Sequence, residues 1–426
     1  MDSTRANDDD GDERQAKRAR RLAPDLISGL DDDVLLHILG LVADARDAVR
    51  TGALSRRWRG LWTRVPALRF ASRPLPTATS AARRCDALEQ YVLFVNGVLA
   101  TGRDAQQSAD GHTIESLTIS YTTGGSEYME TSHLRRLMRS AVHATQGWMQ
   151  HAFQLQRGFK SFSVDLDLPR DLYESMCLFG YDESGVMPPD DDDREDDKKK
   201  KKKKGSDPYP VVLLNVLPSS HACLQNIHLA LGDARLRLPA AMRLASLTCL
   251  SLERIDIVDR DAHRLFARFV SSATCPRLRK LRLRHIWLPG FRQELRLEAD
   301  ELSELWVEHI HARTLQLQTP KLQSFHIDRC HSKVLRVSAP RLQEFEFLQQ
   351  LSLSPRLEVI GELLSVRSLK IRLCSSEDDC VFLLKQCSSV TSHMPRHYSR
   401  LCTGTPITLN AITKMIGHHT RFRWLT

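Results

Sequence analysis

Apolar residues along this chain follow a helical spacing first and a two-residue spacing afterwards. In residues 24–70, Val34, Leu35, Ile38, Leu39 and Val42 recur at i, i+1, i+4, i+5 and i+8, which places them on one face of a helix. Asp31, Asp32 or Asp33 stands where it can cap that helix, since a carboxylate accepts hydrogen bonds from first-turn N–H groups that lack partners. A second short helix is expected from about Asp47, carrying Ala48 and Val49. A third carries Leu54, Trp58, Leu61 and Trp62 on one side and Arg56, Arg57 and Arg59 on the other. Pro66 ends it, because proline has no N–H and its ring clashes with the preceding turn. A block this small buries too little apolar surface to be satisfied alone, so a covering surface is expected.

Beyond residue 110 the unit becomes apolar-x-x-apolar-x-apolar. It appears at Ile114-Leu117-Ile119, Phe159-Phe162-Val164, Leu224-Ile227-Leu229 and Leu247-Leu250-Leu252. It continues at Leu278-Leu281-Leu283, Leu302-Leu305-Val307, Leu322-Phe325-Ile327, Leu342-Phe345-Phe347 and Val366-Leu369-Ile371. From Leu224 onward the starts lie 23, 31, 24, 20, 20 and 24 residues apart. A second short motif repeats every 20 residues: Leu295, Leu315 and Leu335, then Leu297, Leu317 and Val337, then Asp300, Pro320 and Pro340. Each late unit thus reads as a short strand, a turn and a second short strand, every strand with one inward face. One unit cannot bury that face. Stacked units can, and the result is a solenoid. Helical spacing in Asp86–Leu99, Leu134–Phe153 and Asp261–Val270 predicts helices in the earlier, longer units.

Charge adds two segments. Residues 1–23 carry many charges and few bulky apolar groups, and are expected to be disordered, with Lys17-Arg18-Ala19-Arg20-Arg21 a candidate nuclear-localisation patch. The run Asp190–Lys204 holds seven acids, Arg194 and seven lysines, and lies in an expected disordered insert at about 186–208. Deleting Asp190–Lys204 is expected to leave the melting temperature nearly unchanged, because a long surface insertion costs only loop-closure entropy. A thermal melt of the deletion variant checks this.

The run contributes +1 of the net charge of +9, so the excess lies elsewhere, mostly in Lys385–Thr426 with six basic residues and no acids. That excess raises a nucleic-acid-binding reading, but no recognised nucleic-acid module and no aromatic-basic interleaving accompanies it, and nucleic acid is not expected as a partner. The most apolar run, Val211–Leu217, falls far short of the ~20 residues of a membrane span, so no membrane is expected. The N-terminus has no apolar signal stretch, and the expected location is nucleus and/or cytoplasm. Ten cysteines without a C-x-x-C pair read as free thiols, most of them small buried groups. No metal is expected, because Cys374, Cys380, Cys387 and the Cys330-His331 pair lack the close ligand pairs of structural zinc. His309, His311 and His326 are expected at surfaces or edges. Phosphate-binding glycine loops, H-E-x-x-H and G-x-S-x-G are absent from the sequence, so no catalytic residue and no cofactor is expected.

The segments Leu30-Asp31-Asp32-Asp33-Val34-Leu35-Leu36-His37-Ile38-Leu39, Arg46-Asp47-Ala48-Val49-Arg50-Thr51 and Leu54-Ser55-Arg56-Arg57-Trp58-Arg59-Gly60-Leu61-Trp62 resemble the plant F-box. With the repeats, the chain resembles the plant F-box/leucine-rich repeat family, many of whose members carry a C-terminal FBD region. The resemblance implies an α+β solenoid architecture: an N-terminal three-helix F-box module at 24–70, then a leucine-rich repeat α/β solenoid of short parallel strands at 71–373. A partial FBD-like region would follow at 374–426, and from about residue 393 the family's closing strand and helix are not legible. It implies a non-catalytic substrate-recognition subunit of a Skp–cullin–F-box ubiquitin ligase. The F-box would dock a Skp-type adaptor, and through it the cullin and RING subunits, while the repeats capture a protein target that the sequence does not identify. By resemblance, the residues meeting the adaptor or the module's own core are Leu30, Val34, Leu35, Ile38, Leu39, Val49, Leu54, Ser55, Trp58, Leu61 and Trp62. The family's proline after the opening leucine is Asp31 here, which leaves open a repeat-based interaction protein with weak or lost adaptor binding.

Overall fold

The computed structural model describes residues between 27 and 371, with its longest gaps at 107–113, 172–210, 214–222 and 349–355. The tail at 1–23, the charged insert at 186–208, the region 374–426 and Cys374, Cys380 and Cys387 lie outside the described residues. Contacts divide the chain into two compact units, 1–65 and 66–426.

The first unit holds helices α1 (Asp32–Leu41), α2 (Ala45–Arg50) and α3 (Arg56–Leu61), with tight helical turns at Thr51–Ala53 and Trp62–Arg64. The second helix starts two residues earlier than its sequence suggested. Asp44 accepts a hydrogen bond from Arg46 N–H at 2.9 Å and so caps it. Asp31 occupies the cap position of α1 but makes no side-chain capping bond. Leu54 precedes α3 instead of lying in it, and Pro66 follows where the chain turns extended at Val65.

The second unit is an α/β mixture. Its strands are β1 (Ala67–Ala71), β2 (Ser116–Thr122), β3 (Tyr128–Met129), β4 (Ser161–Asp167), β5 (Arg170–Asp171), β6 (Val211–Leu213), β7 (Asn226–Arg237), β8 (Cys249–Ile257) and β9 (Lys280–Trp287). They continue as β10 (Glu294–Glu298), β11 (Glu304–Ile310), β12 (Thr314–Gln318), β13 (Ser324–Asp328), β14 (Val334–Ser338), β15 (Glu344–Leu348), β16 (Arg356–Val359) and β17 (Ser368–Ile371). Its helices are α4 (Ala81–Gln106), α5 (Thr131–Gln154) and α6 (Ala262–Phe269). The two long ones pack on each other. Trp148 Nε1 donates to Asn96 Oδ1 at 2.9 Å, and Arg136 bridges Glu89 and Asp86.

The long sheet runs β1-β2-β4-β7-β8-β9-β11-β13-β15-β17, every neighbour parallel, with β6 added beside β7. Its register follows the repeated motif. Leu117 pairs with Phe162, Phe162 with Ile227, Ile227 with Leu250 and Leu250 with Leu281. Beyond these, Leu281 pairs with Leu305, Leu305 with Phe325 and Phe325 with Phe345. Each of these side chains is buried, and Phe325 and Phe345 stack at 5.2 Å. The sheet begins earlier than the repeats suggested: Leu68 and Phe70 of β1 pair with Leu117 and Ile119, so residues 67–70 belong to the sheet and not to the helical block.

After residue 290 the chain alternates between two sheets. The second sheet, β10-β12-β14-β16, aligns Leu295, Leu315, Leu335 and Leu357. A 20-residue turn adds one strand to each sheet, so the apolar side chains of one turn are covered by those of the next. This architecture is compatible with a leucine-rich-repeat-like arrangement.

Candidate functional site

The described residues present two surfaces suited to contact with a partner, one on each unit.

On the first unit, the residues singled out by resemblance separate into two sets. Leu35, Leu39, Trp58, Leu61 and Trp62 are buried, whereas Val34, Ile38 and Leu54 are exposed by 44%, 41% and 69%. Leu30 and Val49 are half-buried and Ser55 is exposed. The expectation that α1 presents a single apolar face is therefore corrected: Leu35 and Leu39 point inward, while Val34 and Ile38, joined by Leu41, form a second apolar strip outside. Adjacent positions on a helix are 100° apart, so a pairwise apolar pattern covers a width that one packing face cannot bury. Of the eight large apolar side chains exposed among the described residues, five (Ile27, Val34, Ile38, Leu41 and Leu54) belong to this small unit. That concentration marks an interaction surface. Beside it, Asp32 accepts hydrogen bonds from Arg57 at 2.8 Å and Arg64 at 3.2 Å, and the Arg57 guanidinium also donates to the Leu30 carbonyl. The hydrogen bond from Arg57 holds the Asp32 carboxyl below its ordinary value.

On the second unit, the residue between the two inward side chains of each strand points outward. Arg282, Trp306, His326, Glu346 and Lys370 thereby line up on neighbouring strands β9, β11, β13, β15 and β17. They form a continuous row. The Arg282 guanidinium lies 5.2 Å over the Trp306 ring, the Trp306 and His326 rings stack at 3.5 Å, and His326 Nδ1 meets Glu346 at 2.7 Å. Lys370 pairs with the same carboxylate. Trp306 keeps 36% of its surface exposed. A surface aromatic held rigid by a stack and a cation is suited to protein contact, because little conformational entropy remains to be lost on binding.

His326 corrects another expectation. It is buried and hydrogen-bonded to Glu346, not a surface residue. Sequence periodicity marks its position as outward, but the flanking Trp306 and Glu346 rise high enough to enclose it.

Burial pushes the Glu346 carboxyl up, but hydrogen bonds from Lys370 and His326 outweigh this and hold it below its ordinary 4.5. A carboxylate depressed in the folded state stabilises above its unfolded value, and that contribution is lost as pH falls through the folded value. Glu346→Gln is therefore expected to lose roughly 1 kcal/mol of stability at neutral pH and to show a shallower further loss on acidification below about 4.5 than the wild type. Denaturation midpoints measured across pH test both signs.

A row of bulges went unread in the sequence. Asp233, Arg254, His285, His309 and Arg329 all have φ between 46° and 69°. In β8, β9 and β11, Arg254, His285 and His309 each stand between residues paired across the sheet. Inward side chains resume just after them, at Ile255, Ile286 and Ile310, so the two-residue alternation slips by one. Gly232 opens the row in β7 at φ +62°, where a Cβ would come within 2.7 Å of Leu168. The row is tied together by ion pairs: Arg254 with Asp233 at 2.8 Å, Arg329 with Glu308 at 2.6 Å, and Arg284 with Glu308 at 3.2 Å.

Among the described thiols, Cys85, Cys275 and Cys330 are buried, Cys330 Sγ donates to the Asp328 carbonyl at 3.4 Å, and burial pushes Cys275 up to about 12. No helix among the described residues is long and apolar enough to cross a membrane.

No protein-family model matches the chain. Among curated proteins, it is 45% identical over 56 residues to a putative FBD-associated F-box protein of Arabidopsis thaliana, covering 13% of this chain and 12% of that protein. It is 39% identical over 79 residues to an Arabidopsis F-box/FBD/LRR-repeat protein, covering 18% of this chain and 17% of the relative. To Arabidopsis F-box/LRR-repeat protein 25 it is 28% identical over 109 residues, covering 24% of this chain and 42% of the relative. The chain thus spans less than half the length of these three relatives. Several Arabidopsis F-box/FBD/LRR-repeat proteins are homologues of this chain, each over a short stretch.

Proposed function

We propose that this chain is the substrate-recognition subunit of a Skp–cullin–F-box ubiquitin ligase. The observation that carries this reading is the exposed apolar strip Val34, Ile38 and Leu41 on a small helical unit that also exposes Leu54, in a chain whose relatives are named for an F-box. In this reading the first unit is a three-helix F-box module. Leu35, Leu39, Trp58, Leu61 and Trp62 are its core, and the strip docks a Skp-type adaptor that recruits the cullin and RING subunits. The second unit is a leucine-rich repeat solenoid, and the row Arg282, Trp306, His326 and Glu346 contributes to target capture. The subunit is non-catalytic. It acts by holding a target near the conjugating enzyme, which makes transfer effectively unimolecular.

A pull-down of the full chain with a purified Skp-type adaptor tests the docking half. Saturable binding is expected, and no binding at micromolar concentration would leave a repeat-based interaction protein without an adaptor. That second reading rests on Asp31, exposed and uncapping at the start of α1, where the family resemblance implies a proline. For the other half, Trp306→Ala is expected to keep adaptor binding while weakening target binding by roughly 30-fold, the scale of an aromatic hot spot worth about 2 kcal/mol. Quantitative co-precipitation of the ubiquitinated target with proteasome activity blocked measures this.

A further inference from the structure

The row of bulges places two imidazoles and a buried carboxylate together at the ends of β9 and β11. His285 and His309 have φ of 50° and 52° and occupy matching bulge positions on neighbouring strands. Their rings lie face to face, 4.1 Å apart and 14° from parallel. Glu308 precedes His309 and is buried. One donor atom from each of the three residues lies within 4.8 Å of the others.

We propose that His285, Glu308 and His309 form a binding site for a transition-metal cation of the Zn2+ class. Two imidazole nitrogens and one carboxylate oxygen make a three-ligand set that leaves a fourth position to water or a partner's side chain. Metal–nitrogen bonds of about 2.0–2.1 Å require the donors to draw in by on the order of 1 Å. Both histidines are only partly buried, and metal binding requires their side chains to make that movement. Glu308 accepts a hydrogen bond from Arg329 at 2.6 Å, the outer-shell contact that fixes a ligating carboxylate, and Arg284 lies 3.2 Å away as an ion-pair partner. These guanidiniums do not make the site repel a cation. Arg284 also faces Glu253 at 3.8 Å, Arg329 faces Asp328 at 3.1 Å, and Arg282 reaches Glu253 at 3.4 Å, so three guanidiniums meet the three carboxylates Glu253, Glu308 and Asp328. The backbone conformation is not specific to the site, since Arg254 and Arg329 share it. What is specific is that two consecutive members of the row are histidines, with the buried carboxylate of Glu308 next to His309 on β11.

The test is a titration of the full chain with Co2+ alone, read by visible absorbance, followed by displacement with Zn2+. One Co2+ equivalent is expected that is absent from the His285→Asn/His309→Asn variant. Asparagine tolerates positive φ, so this variant removes both nitrogens without straining the bulges. Glu308→Gln, which keeps an acceptor for the arginines, is expected to weaken Co2+ at least about 10-fold, and His311→Asn to change nothing. Binding should fall on acidification, because a protonated imidazole cannot ligate. Equal Co2+ stoichiometry and affinity in the wild type and Glu308→Gln, or an absence of Co2+ binding in the wild type, would overturn the proposal. These readouts do not depend on adaptor or target binding.

Discussion

Ile38→Asp is expected to abolish capture of a Skp-type adaptor while moving the melting temperature of the chain by no more than about a degree or two. Ile38 is 41% exposed on the outer strip of α1, so it contributes less to the fold than the fully buried Leu35. The exchange costs roughly 0.5 kcal/mol through helix propensity. Within a desolvated interface the same aspartate would lose an apolar contact and leave a charge unpaired. That loss is about 2–4 kcal/mol, or roughly 30- to 1000-fold in affinity. Leu35→Ala is the contrasting variant. Leu35 is fully buried, so its truncation is expected to cost about 2–5 kcal/mol of stability and to weaken adaptor capture only by unfolding the unit. Circular-dichroism melts beside adaptor pull-downs separate the two effects. Full adaptor binding by Ile38→Asp would sink the assignment of the outer strip.

Phe345→Ala is expected to have the largest effect on the sheet. Phe345 is fully buried, stacks on Phe325 at 5.2 Å, lies 6.0 Å from Phe347, and pairs with Phe325 and Leu369 across the strands. Removing a buried phenyl ring costs about 3–5 kcal/mol through lost transfer energy and the cavity it leaves. In a stacked repeat each turn is stabilised chiefly by its neighbours, so the damage should concentrate at β13, β15 and β17 and leave β2, β4 and β7 intact. Amide hydrogen exchange resolves this: protection should fall around Phe325–Leu369 and persist at Leu117–Val164. A uniform loss of protection would show that the unit unfolds as one cooperative block.

The long-sheet register was legible in advance because the pattern that sets it is local. Leu281-x-Leu283 and Leu305-x-Val307 each state which side faces inward, and a parallel neighbour can only align like with like. The 20-residue spacing of Leu295, Leu315 and Leu335 likewise announced a second short strand in each late unit, while its pairing into a separate sheet came only from the structure. The helices at α4, α5 and α6 were legible from their spacing, though α4 and α5 extend beyond their apolar repeats. β1 was not, because its single alternating pair, Leu68 and Phe70, directly follows the helical block and has no earlier repeat to align with.

The two candidate surfaces divide differently. The residues of α1 could be named from sequence, but an apolar side chain carries the same pattern whether it faces its own core or a partner. Only packing sent Leu35 and Leu39 inward and left Val34 and Ile38 outside. Likewise the outward positions Arg282, Trp306, His326 and Glu346 follow from alternation, while their stacking and ion pairing follow from strands that are adjacent in space. The bulge row shows the sharpest division. One inserted residue per strand reverses the inward face, and composition does not mark which residue takes the positive φ. Sequence therefore determined the repeat, its period and the apolar faces, since these depend on local spacing. Tertiary structure decided which apolar side chains remain exposed and which polar ones, such as His285, Glu308 and His309, meet, because those depend on neighbours about 20 to 30 residues away along the chain.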